Sequence, residues 1–542
     1  MATKYTLEEL KKTDSSEKDI IILSLQDKVD KLSENVEKLI EQVRLANQNR
    51  FGRSTEKLSE IDGQLSLFDE AEANYDEDTE EPDINDLFPS EPHKAKSKGK
   101  RKKDLEGFPR EHHTHPVSEE QLNEFFGEGN WKKLPDDEYD RLRYEPASWT
   151  VEHHSVEVYV GTDGLHQDEF FRGDRPKDLL RNSILTPSLA AAILNGKYVN
   201  SLPFDRIEQE FKRNGINIIN KQNMSNWTIN LANRYFEPFC KRMKYHMLLY
   251  HVNQCDETPC QVLNDGGSPG SKSHMWVHRS GELYRDKRIV LYEYQKGRDH
   301  HIPLEYYRGF EGVLVSDALA QYHLVDKKTE GITNANCWAH ARRDFSDAIK
   351  IATNKKSPAI KQSVAYQALL RIGMIYKLDE PLKELSVKER YKERQRMIKP
   401  LVDEFFKWVK EQVATMLPKG KTMDGLNYCI NQEKYLRVFL EDGEVPIDNS
   451  ASERALRTFC IGKKNWLFFD SPRGASAGAL VYSISETAKL NNLKPYKYFE
   501  YILTELPKLC DKDGNIEQSK LDYLMPWSPT LPDDCRKPEP QP

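Results

Sequence analysis

The sequence predicts a multidomain α/β protein built around a mixed β-sheet with flanking helices. Three features of the 542-residue chain support this fold class. The hydrophobic pattern changes from helical to strand-like near residue 247, a strand-poor stretch over residues 346–440 indicates an all-helical insertion, and a heptad pattern precedes residue 50. At roughly 150 residues per domain, a chain of this length is expected to form three or four domains.

The composition indicates a globular protein without a membrane span or a uniformly basic surface. Hydrophobic residues make up 38% and charged residues 31% of the chain, and 80 Lys and Arg against 87 Asp and Glu give a net charge of −7. Any nucleic-acid surface must therefore be regional. No run approaches the roughly 18 apolar residues that a membrane span needs. The eight cysteines contain no C-x-x-C pair, so we expect a cytoplasmic protein with reduced thiols.

Residues 1–60 are predicted to form a coiled-coil dimerisation helix. Apolar residues recur every seven positions in two series, β-branched at one seam position and leucine at the other: Ile22, Val29, Val36 and Val43, with Leu25, Leu32 and Leu39. This combination favours a parallel two-stranded coiled coil, so we expect a homodimer or a higher oligomer. Because the pattern covers only about three heptads, a single amphipathic helix packed on its own protein is the alternative.

Residues 61–110 are predicted to be a flexible linker that is first acidic and then basic. Acidic residues dominate from Asp69 to Asp86, and Lys, Arg and His follow from His93 to Lys103. Low hydrophobicity with blocks of like charge is typical of a disordered segment. The basic run is either a solvated tether or a contact to nucleic-acid phosphates, which would release counterions.

Residues 111–180 are predicted to form a small β-rich region. Hydrophobic and polar residues alternate from Trp149 to Val160, which indicates short strands. Five histidines invite a zinc hypothesis: His112, His113, His115, His153 and His154. Structural zinc sites are usually rich in cysteine, and no cysteine precedes Cys240, so we do not predict bound Zn²⁺ here.

Residues 181–246 are predicted to be helical and to contain a helix-turn-helix. A first helix is expected after Thr186-Pro187, a second from Phe204 to Lys212 that ends at Asn214-Gly215, and a third that begins near Asn220. The second helix of such a pair can enter a DNA major groove. The candidate base contacts are Asn223, Ser225 and Asn226. Such helix pairs also serve as plain scaffolding.

Residues 247–345 and 441–495 are predicted to form one mixed α/β domain that the helical insertion interrupts. Four segments carry strand signals: Met247–Val252, Met275–His278, Ile289–Tyr294 and Val313–Val315. Residues 346–440 keep helical apolar stripes and nearly lack strand-like sequence. Residues 496–542 are expected to form a C-terminal helix and, after Leu531, an unstructured tail.

Three acidic residues stand at positions suited to metal binding. Asp256 and Asp317 are expected directly after apolar strands, and Glu453 in the first turns of a helix that Asp448-Asn449 would cap. Carboxylates at the carboxyl ends of strands project where open α/β sheets bind ligands. Taken singly, either aspartate would more often be a turn residue or a helix cap. Together the three predict a site for two Mg²⁺ ions about 4 Å apart, or Mn²⁺ in their place, which would assist in-line displacement at phosphorus.

A cationic and aromatic set surrounds the glutamate. Its members are Arg454, Arg457, Lys463, Lys464, Trp466 and Arg473. The cations would pair with DNA phosphates that enter the metal site, with Lys463 and Lys464 in a loop after the helix, and Trp466 would stack on an unpaired base. The alternatives are a solvated helix face for the arginines and a core position for Trp466.

A further cluster contains His340, Arg342 and Arg343. Cys337 and His340 are separated by two residues, but no second pair with metal-ligand spacing follows, so zinc is not predicted. His340 and the two arginines are expected to face the active site or DNA from a strand-to-helix junction, with a structural role as the alternative.

Short motifs along nearly the whole chain resemble the bacterial insertion-sequence transposases of the sixty-six family, the transposase C type of DDE transposase. In the predicted core these motifs are Asp256-Glu257-Thr258-Pro259, Ser316-Asp317 with Gln321-Tyr322, Cys337 to Arg343, and Ile447 to Phe468. The match continues at Ser471-Pro472-Arg473-Gly474 and Glu486 to Asn491, and it reaches toward the N-terminus at Arg50 to Ser54, Gln64 to Phe68 and Leu202-Pro203-Phe204.

This resemblance implies a transposase with an RNase H-like catalytic core that acts with Mg²⁺ on the terminal inverted repeats of its element and on target DNA. By motif, Asp256, Asp317 and Glu453 take the catalytic positions. The resemblance also implies a nucleoid-associated protein that operates beside two small accessory proteins of the same element. The family usually carries a cysteine-based zinc-finger-like segment, and residues 111–180 lack those cysteines.

Two other functions compete with an active transposase. A transposase-derived DNA-binding regulator would no longer cut DNA, and an RNase H-like nuclease or resolvase would cleave DNA without strand transfer. The complete acidic triad favours an active enzyme.

Overall fold

The computed structural model describes Glu120 and residues 148–160, 170–172, 177–266, 272–351, 358–415 and 419–538. Most of these residues belong to one compact unit, Asp178–Lys537, and the earlier ones to a second unit. The predicted coiled coil and the charged linker lie outside the described residues.

The second unit contains a pair of short antiparallel strands. Strand β1 (Val158–Val160) pairs with β2 (Phe170–Arg172), with Tyr159 opposite Phe171. The strand prediction for Trp149–Val160 is confirmed only at its C-terminal end, because residues 148–157 form no strand. His153 and His154 are exposed, and the other three histidines of the zinc hypothesis lie outside the described residues.

The larger unit begins with helices. They are α1 (Pro187–Leu194), α2 (Phe204–Arg213), α3 (Lys221–Leu231) and α4 (Glu237–Leu248), with wide π-helical turns at Asn195–Val199 and Ala232–Phe236. The hydroxyl of Thr186 accepts a hydrogen bond from the Leu189 backbone N–H at 3.2 Å and so caps α1.

Two helices, α2 and α3, lie where the helix-turn-helix was predicted, and residues 214–220 join them. Gly215 leaves α2 with a φ of +83°, a left-handed conformation that favours glycine. Asn220 accepts a hydrogen bond from the Asn223 backbone N–H at 2.8 Å, and the Asn223 side chain accepts one from the Asn220 N–H at 3.2 Å. Met224 is buried and Asn226 is exposed, so α3 has one packed and one open face.

A five-stranded mixed sheet forms the centre of the larger unit. Its strands are β3 (Val252–Cys260), β4 (Ser273–Ser280), β5 (Val290–Gln295), β6 (Gly312–Ser316) and β7 (Ile332–Asn336), in the spatial order β5-β4-β3-β6-β7. Strands β3 to β5 form an antiparallel meander, whereas β6 runs parallel to β3 and β7 parallel to β6. Helix α5 (His301–Tyr306) precedes β6, and α6 (Ala320–Lys328) connects β6 to β7.

The strand predictions were wrong at two places. Met247 lies in the last turn of α4, and β3 begins only at Val252, because a short apolar run does not distinguish the end of a buried helix from a strand. Strand β7 was not predicted, since its Thr and Asn residues give no apolar pattern. Its Asn334 is buried and accepts a hydrogen bond from Ser316 Oγ at 3.0 Å.

The described residues between β7 and residue 441 are helical and contain no strand. The helices are α7 (Trp338–Ile351), α8 (Pro358–Gln362), α9 (Val364–Asp379), α10 (Val387–Glu393), α11 (Lys399–Thr415), α12 (Lys421–Leu436) and α13 (Val438–Glu441). Helix α7 begins before residue 346, where the insertion was predicted to start.

A buried ion pair joins parts of this helical region. Arg394 is fully buried and donates to Asp379 through Nε at 2.7 Å and Nη2 at 3.0 Å. Its Nη1 donates to the carbonyl oxygens of Phe439 and Val445, each at 2.7 Å. A buried charge is tolerated only when its partners are this complete, so Arg394 fixes α9 against the segment that leads back to the sheet.

Three long helices complete the unit: α14 (Ser450–Trp466), α15 (Pro472–Leu490) and α16 (Pro495–Leu509). Helix α15 covers the edge strand β5. Ser483 Oγ accepts a hydrogen bond from the Tyr292 N–H at 2.7 Å, and Thr487 Oγ1 accepts one from the Val290 N–H at 3.1 Å. These hydroxyls satisfy backbone groups that an edge strand would otherwise expose.

The prediction of an unstructured tail after Leu531 was wrong for the residues that the structure describes. Leu531 and Cys535 are buried, and the Lys494 N–H donates to the Cys535 carbonyl oxygen at 2.7 Å. Among the described helices, none combines the length and apolar character that crossing a membrane requires.

Candidate active site

The register of the sheet brings Asp256 next to Asp317. Asp256 lies inside β3, opposite Val277 of β4, and not after the end of a strand as predicted. On its other side β3 runs parallel to β6, with Gln254 opposite Val315. Continuing this register by two residues sets Asp256 beside Asp317, the first residue after β6. The two carboxylates therefore meet where β6 ends and β3 continues.

The three predicted acidic residues share one electrostatic environment. The pKa of Asp256 is raised well above its usual value, first by burial and then by the negative charges of Asp317, Glu257 and Glu453. Asp317 is the strongest of these charges and Glu453 the weakest. Repulsion between clustered carboxylates is relieved when a cation binds among them.

Helix α14 carries Glu453 in its first turn, with 32% of the side chain exposed. Burial raises the pKa of Glu453, the positive charge of Arg343 opposes that shift, and the negative charge of Asp448 adds to it. Glu453 Oε1 is buried and has no hydrogen-bond partner within the described part of the chain. A buried carboxylate oxygen without a hydrogen-bond partner is suited to act as a ligand of a cation.

Asn449, the residue before α14, fastens this helix to β3. Its fully buried side chain donates from Nδ2 to the Cys255 carbonyl oxygen at 2.9 Å and accepts from Gln254 Nε2 at 3.2 Å. Because Cys255 directly precedes Asp256, and Asn449 precedes Glu453 by about one turn, these bonds hold the two carboxylates in a fixed relation. The sequence suggested only a capping role for Asn449, and its side chain makes no cap hydrogen bond.

Glu257 makes a second connection, from the residue after Asp256 to the segment after Asp317. Glu257 is buried, and its carboxylate accepts hydrogen bonds from Gln321 Nε2 at 2.8 Å, from the Tyr322 hydroxyl, and from Arg298 Nε at 2.9 Å. The motif residues on either side of the carboxylates thus bind each other, which the sequence alone did not indicate.

His340 and Arg343 of α7 lie beside Glu453. Arg343 Nη2 donates to His340 Nε2 at 3.0 Å, so the neutral imidazole carries its hydrogen on Nδ1. Nδ1 lies 3.7 Å from Glu453 Oε1. Burial, together with the charge of Arg343, lowers the pKa of His340 to about 3. The ring is therefore neutral near pH 7, and its contact with Glu453 is not an ion pair.

The donor set fits hard divalent cations better than zinc. Asp256, Asp317 and Glu453 offer carboxylate oxygens, the ligands that Mg²⁺ and Mn²⁺ prefer. Cys337 Sγ, a His340 nitrogen and a Glu453 oxygen also lie within 4.8 Å of one another. Zinc would need a thiolate at Cys337, whose pKa is raised well above its usual value by burial, and a lone pair on His340 Nδ1, which carries the hydrogen.

Four of the predicted cations are exposed. Arg454, Arg457 and Lys464 lie on α14, and Arg473 lies at the start of α15. Arg454 forms an ion pair with Glu282. Arg342, like His340 and Arg343, is half-buried on α7.

Lys463 and Trp466 are placed differently from the prediction. Lys463 lies in the last turn of α14 and not in a loop, and its buried Nζ donates to the Pro259 carbonyl oxygen at 3.0 Å. Trp466 packs against Phe459 and Phe469, at ring-centroid distances of 5.6 and 4.4 Å. These contacts favour a structural role for both residues over contact with phosphates or bases.

The candidate base contacts on α3 differ in their surroundings. Asn226 is exposed, Ser225 is half-buried, and the Asn223 side chain is used in the capping interaction with Asn220. Asn226 is therefore better placed than Asn223 to reach a base edge.

Three family models match different parts of this chain. The family model for "Transposase IS66 family" matches residues 182–477, "IS66 C-terminal element" matches residues 483–527, and "Transposase C of IS166 homeodomain" matches residues 38–112. Together these matches define a DNA-binding transposase of an insertion sequence. The first match covers more than half of the 542 residues, and the chain belongs to the Transposase IS66 family.

Three similar proteins come from Sinorhizobium fredii (strain NBRC 101917 / NGR234). "Uncharacterized protein y4qI" is 26% identical over 411 residues, which are 73% of this chain and 71% of the relative. "Uncharacterized protein y4hP" is 25% identical over 350 residues, 63% of this chain and 62% of the relative. "Uncharacterized protein y4jD" is 22% identical over 361 residues, 65% of this chain and 68% of the relative. These names describe no activity.

Proposed function

We propose that this transposase cleaves element ends and joins them to target DNA by metal-dependent phosphoryl transfer at Asp256, Asp317 and Glu453. The observation that carries the proposal is the convergence of three carboxylates, one within β3, one directly after β6 and one in the first turn of α14; the charges of Asp317 and Glu453 both raise the pKa of Asp256. Acidic residues are brought together against their mutual repulsion where they bind a cation.

The topology of the sheet supports an RNase H-like core. An antiparallel meander is followed by two parallel strands, and the first strand, β3, is central and carries the first carboxylate. On this proposal residues 247–345 and 441–495 form the core, and residues 346–440 are an insertion that precedes the helix with Glu453.

The side chains of the site would hold and orient the reacting groups. When bound, two Mg²⁺ ions, or Mn²⁺ in their place, would supply charge stabilisation to the attacking and leaving oxygens of the scissile phosphate. Asp256, Asp317 and Glu453 would hold the ions, and His340, whose Nδ1 lies 3.7 Å from Glu453 Oε1, would help to position that carboxylate.

The remaining parts of the chain would bind and pair DNA. Exposed cations on α14 would contact backbone phosphates, which position the duplex, and Asn226 on α3 would read a base edge of the terminal inverted repeat. The predicted coiled coil in residues 1–60 would pair two element ends as a homodimer or a higher oligomer. The two accessory proteins of the element, and association with the nucleoid, belong to the same proposal.

A cleavage assay tests the proposal. The probe is a duplex with the terminal inverted repeat that flanks the coding sequence, incubated with Mg²⁺ and a target plasmid. Asp256→Asn and Glu453→Gln should each lower the cleavage rate by about 10³-fold, because metal ligands act on the transition state. Duplex binding should change by less than about threefold, since phosphate contacts supply most of the affinity.

Asp286→Asn is the matched control, because Asp286 is an exposed aspartate in the loop between β4 and β5. Cleavage by Asp256→Asn at the wild-type rate would remove Asp256 from the mechanism. Binding by the wild type without cleavage would indicate the DNA-binding regulator. Cleavage without joined plasmid products would indicate a nuclease that lacks strand transfer.

A further inference from the structure

Helix α14 ends in a strained turn that exposes two apolar side chains. Leu467 has a φ of +66° and a ψ of −55°, and the Phe468 N–H donates to the Trp466 carbonyl oxygen at 2.9 Å. This is the rare form of γ-turn, in which a branched residue such as leucine is strained. Leu467 and Phe468, which we call the apolar tip, are 47% and 42% exposed.

The residues on both sides of the apolar tip hold it in place. Trp466 packs in the aromatic cluster with Phe459 and Phe469. The Phe469 N–H donates to the Gln261 carbonyl oxygen at 2.9 Å, and the Leu263 N–H donates to the Phe469 carbonyl oxygen at 3.0 Å. A strained conformation persists where the surroundings enforce it, and such positions are concentrated at functional sites.

A mainly cationic helix face connects the carboxylates to the apolar tip. Arg454, Arg457, Ile461 and Lys464 are exposed on α14, and spacings of three, four and three residues set them on one side of the helix. The series begins directly after Glu453. Arg454 forms an ion pair with Glu282, and the face as a whole is positive. A positive face is complementary to a phosphate backbone.

The length of α14 gives the separation between the two ends of this face. From Glu453 to Trp466 the helix rises by about 20 Å, at about 1.5 Å per residue. The extended chain from Asp256 within β3 to Gln261, the residue after β3, covers about 17 Å at about 3.3 Å per residue. At about 3.4 Å per stacked nucleotide, these lengths correspond to about five or six nucleotides.

We propose that the apolar tip inserts into the base stack of the element's DNA about five or six nucleotides from the scissile phosphate. This inference rests on the proposed function, because it takes the scissile phosphate to lie at the carboxylates. Apolar wedges between base steps unstack and kink a duplex, and the cations of α14 would hold the backbone on the approach to the tip.

The experiment uses the full-length protein and terminal-repeat duplexes with 2-aminopurine at one position each, from one to ten nucleotides beyond the cleavage point. The fluorescence of 2-aminopurine increases when the base is unstacked. Binding of the wild type should raise the fluorescence by at least about twofold at position five or six, and less at positions nearer to and farther from the cleavage point. Asp256→Asn should give the same increase, because insertion precedes cleavage.

Two substitutions distinguish a role of the apolar tip in DNA insertion from a role in the stability of the fold. Phe468→Ala should abolish the increase while duplex affinity changes by less than about threefold. Leu467→Gly should also reduce the increase, with a Tm equal to or above that of the wild type, because glycine relieves the strain at a φ of +66°. Leu249→Ala is the matched control, since Leu249 is a 67% exposed leucine that precedes β3.

The outcomes distinguish this inference from the function on which it rests. Cleavage by the wild type without a fluorescence increase at any position would overturn the insertion and leave the proposed function intact. A wild-type increase at position five or six without cleavage would support the insertion and contradict the proposed function. A changed sedimentation coefficient of DNA-free Phe468→Ala would assign the tip to a contact between copies of the chain and overturn the proposal.

Discussion

Replacement of Asn449 by alanine should uncouple Glu453 from Asp256. The substitution removes the hydrogen bonds to the Cys255 carbonyl oxygen and from Gln254 Nε2, and Gln254 keeps a bond to the Asp448 carbonyl oxygen at 3.3 Å. The variant leaves the Cys255 carbonyl oxygen buried without this donor and creates a small cavity. Together these two effects should lower the free energy of unfolding by about 2–3 kcal/mol. A shift of α14 of about 1 Å would lower the cleavage rate by about 10²-fold.

Asn491→Ala is the matched control for this substitution. Asn491 is a half-buried asparagine at the end of α15, and its Nδ2 also donates to two carbonyl oxygens, those of Arg288 at 2.7 Å and Thr487 at 2.8 Å. Urea denaturation should show a comparable loss of stability for both variants. Single-turnover cleavage at saturating duplex, with Mg²⁺ titrated, should show a lower rate and a higher Mg²⁺ requirement for Asn449→Ala alone.

Equal cleavage rates and equal Mg²⁺ requirements for the two variants, at a temperature where both are folded, would contradict a positioning role for Asn449. Asn449 would then stabilise the fold without positioning the carboxylates.

Three other predictions concern the cation, the half-buried His340 and a buried ion pair. Mg²⁺ at 100 times its Kd should stabilise the wild type by about 2.7 kcal/mol, seen as a higher Tm. It should stabilise Asp256→Asn much less, and equal Tm shifts would argue against Asp256 as a ligand. Because the folded pKa of His340 is lowered from 6.5 to about 3, the unfolded chain gains a proton first as the pH falls. The wild type should lose stability below pH 6.5 by up to about 1.4 kcal/mol per pH unit more than His340→Gln, and equal slopes in denaturant titrations would contradict that pKa. Arg394→Met should cost about 3–5 kcal/mol in urea titrations, because the Asp379 charge stays buried without its partner. Arg396→Ala, which breaks an exposed pair, should cost less than about 1 kcal/mol, and similar losses would contradict the difference.

Local chemistry made part of this fold predictable. The starts of α1 and α3 follow from Thr186 and Asn220, whose side chains accept hydrogen bonds from the first turn, and the end of α2 follows from Gly215 with its φ of +83°. These signals depend on a few neighbouring residues. Asp256 and Asp317 were each expected after an apolar strand segment; β3 continues beyond Asp256, and the two residues lie side by side because both follow the stretch over which β3 and β6 pair in parallel.

Other features depend on contacts between distant parts of the chain. Strand β7 is polar, and its Asn334 is stabilised by Ser316 of the neighbouring strand and not by an apolar pattern. Lys463 resembled a phosphate contact, but a carbonyl oxygen of β3 binds its amine. Asn449 carries no charge and matches no periodic pattern, so its bonds to Gln254 and Cys255 emerge only once α14 packs on the sheet.

The metal ions at the three carboxylates can be located in a Mn²⁺-soaked crystal of the transposase. An anomalous difference map should contain two peaks about 4 Å apart, within ligand distance of carboxylate oxygens of Asp256, Asp317 and Glu453. Peaks that touch only one of these carboxylates, or a fully occupied ion elsewhere with none between them, would contradict the account.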